Sequence, residues 1–313
     1  MKNPLFASGF FACRAGERVD GRTGDVRGRK DGMNMIDANG EKTALSALSA
    51  SATVPMLELT DAVVRRAGKD ILAVPSFALA EGESMALLGP NGAGKSTFVK
   101  LITREVFPLH RDMPPVVFRG KERCTLQEVK QALGVVSATM QDEITVHVPV
   151  IEIVCGGLFG TLGVPRQYTV TEEGRMRALA ALALLGVAEL AERDVMTLSS
   201  GQARRVLIAR ALVSNPDILV FDEPCTGLDP QGMYYVRQSM RTLAQEGKTL
   251  ILVTHYPEDV IPEIGRIVMI KDGLVFADGP KRELLTSERM SALFDVPLTV
   301  QEAGGYYTLS SRY

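Results

Sequence analysis

A glycine-rich loop between a short apolar run and a helix-like run constrains this chain more than any other feature. The run reads MALLGPNGAGKST, Met85 to Thr97, and its second part matches the pattern G-x-x-x-x-G-K-[ST]. The glycines allow the backbone to curl so that successive N–H groups point inward. A strand, this loop and a helix in series therefore predict a phosphate-binding loop at one edge of a parallel sheet.

The loop also predicts which residues hold a nucleoside triphosphate. Lys95 is placed to reach the β- and γ-phosphates as a point charge, and the Ser96 hydroxyl is placed to bind Mg²⁺. The start of the following helix adds a partial positive charge. The candidate nucleotide ligands are Gly89, Pro90, Asn91, Gly92, Ala93, Gly94, Lys95, Ser96 and Thr97.

A second apolar run, DILVFDE, ends on two carboxylates, Asp222 and Glu223. Its four apolar residues predict a buried strand next to the strand of the phosphate loop, which would bring Asp222 to the same edge of the sheet. Asp222 is then placed to bind Mg²⁺. Glu223 projects differently and is placed to polarise an attacking water. A helix-capping Asp-Glu pair is the alternative for this run alone, and the upstream loop disfavours it.

The other apolar runs alternate with helix-like runs. MLELTDAVVRR and ILAVPSFAL predict short strands near the start of the regular pattern, and TLILVTH and RIVMIKDG predict two more after DILVFDE. Residues 150–196 are rich in helix formers with apolar residues at helical spacing. The pattern predicts an α/β fold of the phosphate-loop NTPase class. It would have a mainly parallel core sheet, an N-terminal antiparallel β subdomain and an inserted helical subdomain.

Composition changes along the chain predict the domain boundaries. Residues 1–55 include RAGERVDGRTGDVRGRKDG, which is charged, glycine-rich and poor in large apolar residues, so we expect a disordered extension. The regular pattern spans 56–300, with the helical subdomain at about 142–197. Residues 301–313 are expected to form a short C-terminal tail.

Charge and cysteine usage narrow the location and the partners. The net charge of −2 gives no global basic signature, so a nucleic-acid partner is not expected. The four cysteines are scattered without a CxxC pair, which is typical of a reducing compartment. No apolar run reaches the ~20 residues that cross a bilayer, and MKNPLFASGFFAC is a poor signal peptide. We expect a cytoplasmic protein whose membrane role is peripheral.

Over about residues 56–300 the chain resembles the ATP-binding subunits of ABC transporters. The phosphate loop, the Asp-Glu pair and LSSGQ (Leu198–Gln202), which is similar to the family signature LSGGQ, carry the resemblance. It implies ATP as the nucleotide. It also implies a head-to-tail homodimer, or a pair with a related ATPase subunit, in which Ser199 and Gly201 contact the γ-phosphate of the neighbour's ATP. Ser200 stands where the family usually has glycine and adds a Cβ and a hydroxyl.

The resemblance alone implies four further site residues. Gln141 in SATMQDE matches the glutamine that ends a strand, contacts Mg²⁺ or water and faces the membrane partner. Asp229 in TGLDP matches a loop at the dimer interface, and His255 in LVTHYPED matches the histidine that donates to the γ-phosphate. Arg66 in VVRRAGKD stands near the position where the family stacks an aromatic ring on adenine. Its guanidinium either stacks on the base or is a solvated turn residue, and both remain open.

The implied function is that of an ATPase subunit, peripheral to the inner face of the cell membrane, which powers a separate permease. The stretch from Gln141 to Gly163 and the tail are most similar to ATPases of metal-chelate, iron-siderophore and molybdate-type importers and to their soluble relatives. A soluble ATPase acting on nucleic acid, the ribosome or another cytoplasmic partner is the alternative. The single cassette, without coiled coils or zinc modules, disfavours it. A degenerate nucleotide sensor is disfavoured because the Lys95 loop, the Asp-Glu pair and His255 are all present.

Overall fold

The computed structural model describes residues 54–122 and 124–311. The expected extension, residues 1–55, lies outside the described residues apart from its last two positions. The strands of the described part are β1 (Leu57–Arg66), β2 (Lys69–Leu79), β3 (Met85–Leu88), β4 (Val116–Phe118), β5 (Leu133–Ser137), β6 (Ile218–Asp222), β7 (Thr249–Thr254), β8 (Arg266–Lys271), β9 (Leu274–Pro280), β10 (Leu298–Ala303) and β11 (Tyr306–Ser311).

The helices of the described part lie between these strands. The α-helices are α1 (Lys95–Ile102), α2 (Leu126–Ala132), α3 (Thr139–Asp142), α4 (Val150–Gly156), α5 (Glu172–Leu184), α6 (Ser200–Leu212), α7 (Pro230–Gln245), α8 (Lys281–Leu284) and α9 (Ser287–Phe294). Single-turn 3₁₀ helices span Gly157–Phe159, Ala188–Leu190, Val195–Thr197 and Pro257–Asp259. Within the described ranges, no helix has the length and apolar character needed to cross a membrane.

One mixed sheet organises the fold, in the strand order β4-β1-β2-β9-β8-β3-β7-β6-β5. The five strands from β8 to β5 are mutually parallel. At the other end β1 runs antiparallel to β2 and β4, and β9 runs antiparallel to β8. The two halves meet at a single parallel pair, Ala73 of β2 and Leu274 of β9. This architecture confirms the predicted α/β class, with its mainly parallel core and antiparallel N-terminal strands.

The predicted contact between β6 and the phosphate-loop strand is wrong, because β7 lies between β6 and β3. All six residues of β7 are buried, as suits a strand at the centre of a parallel sheet. Leu88 of β3 pairs with Thr254 of β7, and Val253 of β7 pairs with Asp222 of β6. The three carboxyl ends are therefore level, and Asp222 reaches the edge of the phosphate loop across the strand that delivers His255.

Alternate residues of the central strands pack into two apolar clusters on opposite faces of the sheet. On β7, Leu250 and Leu252 belong to one cluster, and Ile251 and Val253 belong to the other. The first cluster is covered by α4, α5, α6 and α7, and the second by α1, β1 and β2. Strands that are apolar on both faces suit a parallel sheet that is covered on both faces. The apolar pattern of the strands therefore also indicates that other elements cover each face of the sheet.

Between β5 and β6 the chain is mostly helical. The segment before α4 pairs with the segment before α6: the Val195 N–H donates to Val148 (3.0 Å), and the Val150 N–H donates to Arg193 (2.9 Å). The helix α6 then contacts α4, α5 and α7. The residues predicted at about 142–197 as a helical subdomain thus contain α4 and α5, and these backbone bonds connect the segment after Gln141 to the one before Ser199.

The C-terminal residues form a β-hairpin that the sequence analysis did not anticipate. The strands β10 and β11 pair antiparallel around Gly304 and Gly305, whose φ angles are +61° and +84°. The Leu309 N–H donates to a carboxylate oxygen of Glu258 (2.7 Å), just after His255 in the chain. The predicted boundary between residues 300 and 301 falls inside β10.

Candidate nucleotide-binding site

The loop from Gly89 to Thr97 connects β3 to α1. Its glycines are required for different structural reasons. A Cβ at Gly89 would lie 2.2 Å from the carbonyl oxygen of Ile270 on β8, which leaves no room for a side chain. Gly92 and Gly94 have φ angles of +79° and +111°, in the region that other residues rarely adopt. The loop curvature that points N–H groups inward therefore depends on these glycines.

Neighbouring strands fix the loop in place. The Gly273 N–H, in the turn between β8 and β9, donates to the Ala93 carbonyl at 2.9 Å. A Cβ at Gly94 would lie 3.2 Å from the Ile71 carbonyl oxygen of β2. The loop is thus held against both the parallel and the antiparallel strands. Among its residues Asn91, Gly92 and Ser96 are exposed, Pro90, Gly94 and Thr97 are half-buried, and Gly89, Ala93 and Lys95 are buried.

The Lys95 ammonium lies inside the loop. Its Nζ donates to the carbonyl oxygens of Gly89 (2.8 Å) and Pro90 (3.0 Å), and the residue is 5% exposed. Burial lowers the pKa of Lys95, while the negative charges of Glu223 and Asp222 act against that shift. The two carboxylates therefore lie close enough to Lys95 to stabilise its charged form. This closeness is expected if all three side chains serve the same nucleotide.

The surroundings of Asp222, the last residue of β6, destabilise the charged form of its carboxyl group. Burial raises the pKa of its carboxyl group, the like charge of Glu223 raises it further, and Lys95 and Lys100 oppose the shift. A cation at this position would relieve the repulsion between the two carboxylates.

Glu223 is held in an unusual backbone conformation. Its φ angle is +49°, which is costly for a residue with a side chain and is common at functional sites. Its N–H donates to the Val253 carbonyl at 2.8 Å, and the Thr226 hydroxyl donates to Oε2 at 3.4 Å. Oε1 lies 3.2 Å from Nδ1 of His255. The structure therefore brings together Glu223 and His255, which the sequence separates by a helix and a strand.

Arg204 is a buried residue that contacts the loop after β6, and the sequence analysis did not predict this contact. It lies on α6, is 3% exposed, and donates through Nη1 to the carbonyl oxygens of Pro224 (2.8 Å) and Glu223 (3.5 Å). Burial lowers the pKa of its guanidinium. Its Nε has no hydrogen-bond partner in the part of the chain that the structure describes. Because adjacent arginines in a helix usually indicate a solvated face, nothing in ARRVLIARAL signals that Arg204 supports the loop after β6.

The LSSGQ segment begins α6. The Ser199 hydroxyl accepts a hydrogen bond from the Gln202 N–H (3.3 Å), and the Gln202 side chain accepts one from the Ser199 N–H (3.1 Å), so the two form a capping box. A Cβ at Gly201 would lie 2.8 Å from the Cα of Gly232 on α7. Gly201 is therefore required for the close approach of two helices within the chain, whatever it contacts outside.

Asp229 caps the neighbouring helix, because its Oδ1 accepts a hydrogen bond from the Gly232 N–H at 2.7 Å. Ser199, Ser200 and Asp229 are all exposed. The starts of α6 and α7 thus form one surface that carries Ser199 and Asp229, two of the residues expected at a subunit interface, with Gly201 half-buried beside them. The departure from the family pattern, Ser200, is the first residue of α6.

Gln141 does not end a strand as expected. The strand β5 stops at Ser137, and Gln141 lies half-buried in the short helix α3. The Ser137 hydroxyl bonds to that of Thr139 (3.0 Å) at the start of this helix, which turns the chain at once. Since Ser137 pairs with Asp222 in the sheet, the segment that carries Gln141 still leaves the sheet next to Asp222.

Arg66 ends β1 and is exposed. It pairs with Lys69 across the turn, while its neighbour Arg65 forms an ion pair with Asp70. Arg65 is therefore held by a partner, and Arg66 keeps both of its predicted alternatives, a base contact and a solvated turn residue.

The oxygen donors here fit Mg²⁺ in the presence of a nucleotide. Within residues 54–122 and 124–311, no group of three or more His, Cys, Asp and Glu side chains could hold a metal ion. Magnesium in nucleotide sites usually takes one or two protein oxygens and completes its shell with water and phosphate. Asp222 lies at the end of β6, which contacts α1, and Ser96 presents its hydroxyl on the first turn of α1. A carboxylate and a hydroxyl are hard oxygen donors of the kind that such an ion prefers.

A phosphate loop on a parallel sheet, with a carboxylate pair level with it, defines a nucleotide-binding protein of the phosphate-loop class. A family model described as ABC transporter matches residues 72–226. The ABC transporter ATP-binding protein YlmA of Bacillus subtilis is 32% identical over 247 residues, which cover 78% of this chain and 93% of YlmA.

Two solved structures extend the similarity. One is an inward-facing metal-chelate type ABC transporter, 25% identical, with a TM-score of 0.68, which covers 83% of this chain and 98% of that one. The other is cbiO1 of Clostridium perfringens, part of an ABC transporter complex, 26% identical, with a TM-score of 0.64, and covering 76% of this chain and 93% of that one. The chain belongs to the ABC transporter family, as one of its ATP-binding subunits. The predicted membership is confirmed, and the comparisons give no support to a soluble ATPase acting on nucleic acid or the ribosome.

Proposed function

We propose that the chain hydrolyses ATP to ADP and phosphate, with Glu223 as the general base. The observation that carries the proposal is the 3.2 Å contact between Glu223 Oε1 and His255 Nδ1, level with the Lys95 loop. A base must be held where a water can reach both it and the γ-phosphate. The strained backbone of Glu223 and its anchoring to β7 supply a fixed position for the carboxylate.

Each residue of the site has a separate role in this scheme. Lys95 leaves its loop carbonyls to bind the β- and γ-phosphates, and the loop N–H groups bind their oxygens. Asp222, Ser96 and Gln141 would hold Mg²⁺, which when bound neutralises charge on the β- and γ-phosphates. Glu223 takes the proton of the attacking water, and the catalysis is otherwise positioning and electrostatic stabilisation.

The tautomer of His255 matters for its proposed contact with the γ-phosphate. Nδ1 faces a carboxylate, so a neutral ring donates through Nδ1 and leaves Nε2 as an acceptor. Donation from Nε2 to a phosphate oxygen then requires the imidazolium. A doubly protonated ring would bridge Glu223 and the γ-phosphate, which links the base to the phosphate that it serves.

We further propose that a second subunit completes the site. Ser199 and Gly201, on the exposed start of α6, would contact the γ-phosphate held by the neighbouring subunit, and Asp229 would lie at the same interface. The arrangement predicts a head-to-tail homodimer, or a pair with a related ATPase subunit. Support comes from the shared surface of the two helix starts and from the family resemblance of LSSGQ.

We propose that ATP hydrolysis by this subunit powers a separate membrane permease, and that the subunit binds it at the inner face of the cell membrane. The relatives support this, since cbiO1 is part of a transporter complex and the metal-chelate type transporter contains a matching chain. Co-purification of the tagged chain with a polytopic membrane protein from detergent-solubilised membranes tests it. Recovery of the chain with nucleic acid or ribosomes instead would contradict it.

Glu223→Gln tests the catalytic proposal. The variant keeps the size and hydrogen-bonding capacity of the side chain but cannot accept the proton. We expect ATP affinity to remain within about threefold and kcat to fall by about a hundredfold or more, with an ATP-bound dimer visible by size-exclusion chromatography. Glu246→Gln, at the exposed end of α7, is the matched control and should keep the wild-type rate. Wild-type turnover by Glu223→Gln would show that another group is the base.

A further inference from the structure

A buried hydroxyl holds the backbone on both sides of His255. Thr254, the last residue of β7, is 1% exposed. Its Oγ1 accepts a hydrogen bond from the Tyr256 N–H at 3.1 Å, across His255, and donates to Oδ2 of Asp259 at 2.8 Å. The turn that presents the imidazole is thus closed by one side chain rather than by backbone alone.

The acceptor, Asp259, is itself fixed by a second segment. Its side chain is 5% exposed and accepts from Arg237 of α7, through Nη2 at 2.7 Å and Nε at 3.2 Å. The Asp259 N–H also donates to the Tyr256 carbonyl at 3.2 Å. A buried carboxylate that is paired with an arginine and hydrogen-bonded on its other oxygen has a fixed orientation, so it is a rigid support for Thr254.

The network connects the segments that carry the site. Arg237 lies on the helix that Asp229 caps, and Thr254 directly precedes His255. Thr254 holds the turn around His255 and Asp259 holds Thr254, so both reach the imidazole through the chain that presents it.

We propose that Thr254 and Asp259 are positioning residues for His255, and that their hydrogen bond holds the imidazole against Glu223. The inference rests on the proposed role of His255 in hydrolysis. It goes further by assigning two residues to the reaction and linking them, through Arg237, to the interface helix α7. A small displacement of a catalytic group costs a large factor in rate, so the hydrogen bond acts on kcat rather than on ATP affinity.

Thr254→Val removes the hydroxyl and keeps the β-branched shape that suits a buried strand. We expect kcat to fall by about tenfold to a hundredfold, with KM and the affinity for a fluorescent ATP analogue within about twofold. Thr254→Ser restores the hydroxyl and should recover most of kcat. The matched control is Thr249→Val, which removes an equally buried hydroxyl at the other end of β7, where it accepts from the Gly82 N–H at 2.8 Å. It should leave kcat unchanged even if the melting temperature falls.

The decisive readout is a double-mutant cycle with His255→Ala, measured by single-turnover hydrolysis. If Thr254 acts through His255, then Thr254→Val causes no further loss of rate once the imidazole is absent. The same fold loss in both backgrounds, or wild-type kcat for Thr254→Val, would overturn the proposal. Should Thr254→Val not fold, Asp259→Asn takes its place in the cycle, with the same expectation. Wild-type turnover by His255→Ala would instead refute the role of His255 in the proposed function.

Discussion

The phosphate loop allows a sharp prediction, because two of its glycines are required for different reasons. At Gly89 a Cβ would lie 2.2 Å from the Ile270 oxygen, about 1 Å closer than an ordinary carbon–oxygen contact. Ile270 belongs to β8, which is hydrogen-bonded to strands on both sides, so it cannot move away freely. Overpacking at such a site costs about 3 kcal/mol. At Gly92 nothing lies within 4 Å, and alanine meets only the positive φ angle, which costs about 1 kcal/mol.

Thermal unfolding without nucleotide measures both variants directly. For a domain of this size, 1 kcal/mol lowers the melting temperature by about 2–4 °C, so Gly89→Ala should lower it by about 6–12 °C and Gly92→Ala by about 2–4 °C. The order of the two variants is what matters, since both glycines lie in the same loop and only Gly89 lies against β8. If Gly92→Ala is as destabilising as Gly89→Ala, the contact with β8 does not limit the loop and the steric reasoning is refuted.

Two further predictions concern the loop that follows β6. Arg204→Met removes the donor to the Pro224 carbonyl and also an incompletely paired buried charge. We therefore expect kcat to fall by about tenfold while stability to urea changes by less than about 1 kcal/mol; a stability loss with normal kcat would contradict this. The pKa of the Cys225 thiol is raised to about 12, mainly by burial, so it stays protonated at neutral pH. Iodoacetamide at about pH 8 should label the half-exposed Cys124 and spare Cys225 in the folded protein, as read by peptide mass spectrometry; rapid labelling of Cys225 would contradict its burial.

Local sequence patterns predict much of this fold. Strands such as β3 and β7 are apolar on both faces and are bounded by glycine or polar residues, so their existence and parallel type follow from residues that are close in sequence. The phosphate loop is equally recognisable, because its glycines and Lys95 lie within nine consecutive residues. Both features can be recognised in the sequence without knowing which segments pack against them.

Spatial neighbours are what the sequence does not specify. The order of strands is decided by packing across the sheet, which is why β7 lies between β3 and β6 and the predicted adjacency fails. The buried position of Arg204 depends on where α6 crosses the loop after β6, and the bond from Thr254 to Asp259 depends on a turn around His255. No periodicity encodes any of these contacts.

The C-terminal hairpin is a different case, because its signal was present. A Gly-Gly pair between QEA and YYTL, flanked by residues of alternating burial, is a typical two-residue turn between antiparallel strands. The sequence analysis predicts only a short tail at residues 301–313, which contain this turn signal. The residues that favour a turn therefore predict the local structure better than closeness to the C-terminus does.

The central claim is that each ATP is served by the phosphate loop of one subunit and the LSSGQ segment of the other. Mixing two inactive chains, Lys95→Ala and Ser199→Arg, tests it directly. In a head-to-tail dimer the mixed pair has one site with both defects and one site with neither. Random pairing should then restore about one quarter of the wild-type ATPase rate per chain. If both single variants are inactive and the mixture stays inactive although mixed dimers form, Ser199 serves the nucleotide of its own chain, and the account of a shared site is wrong.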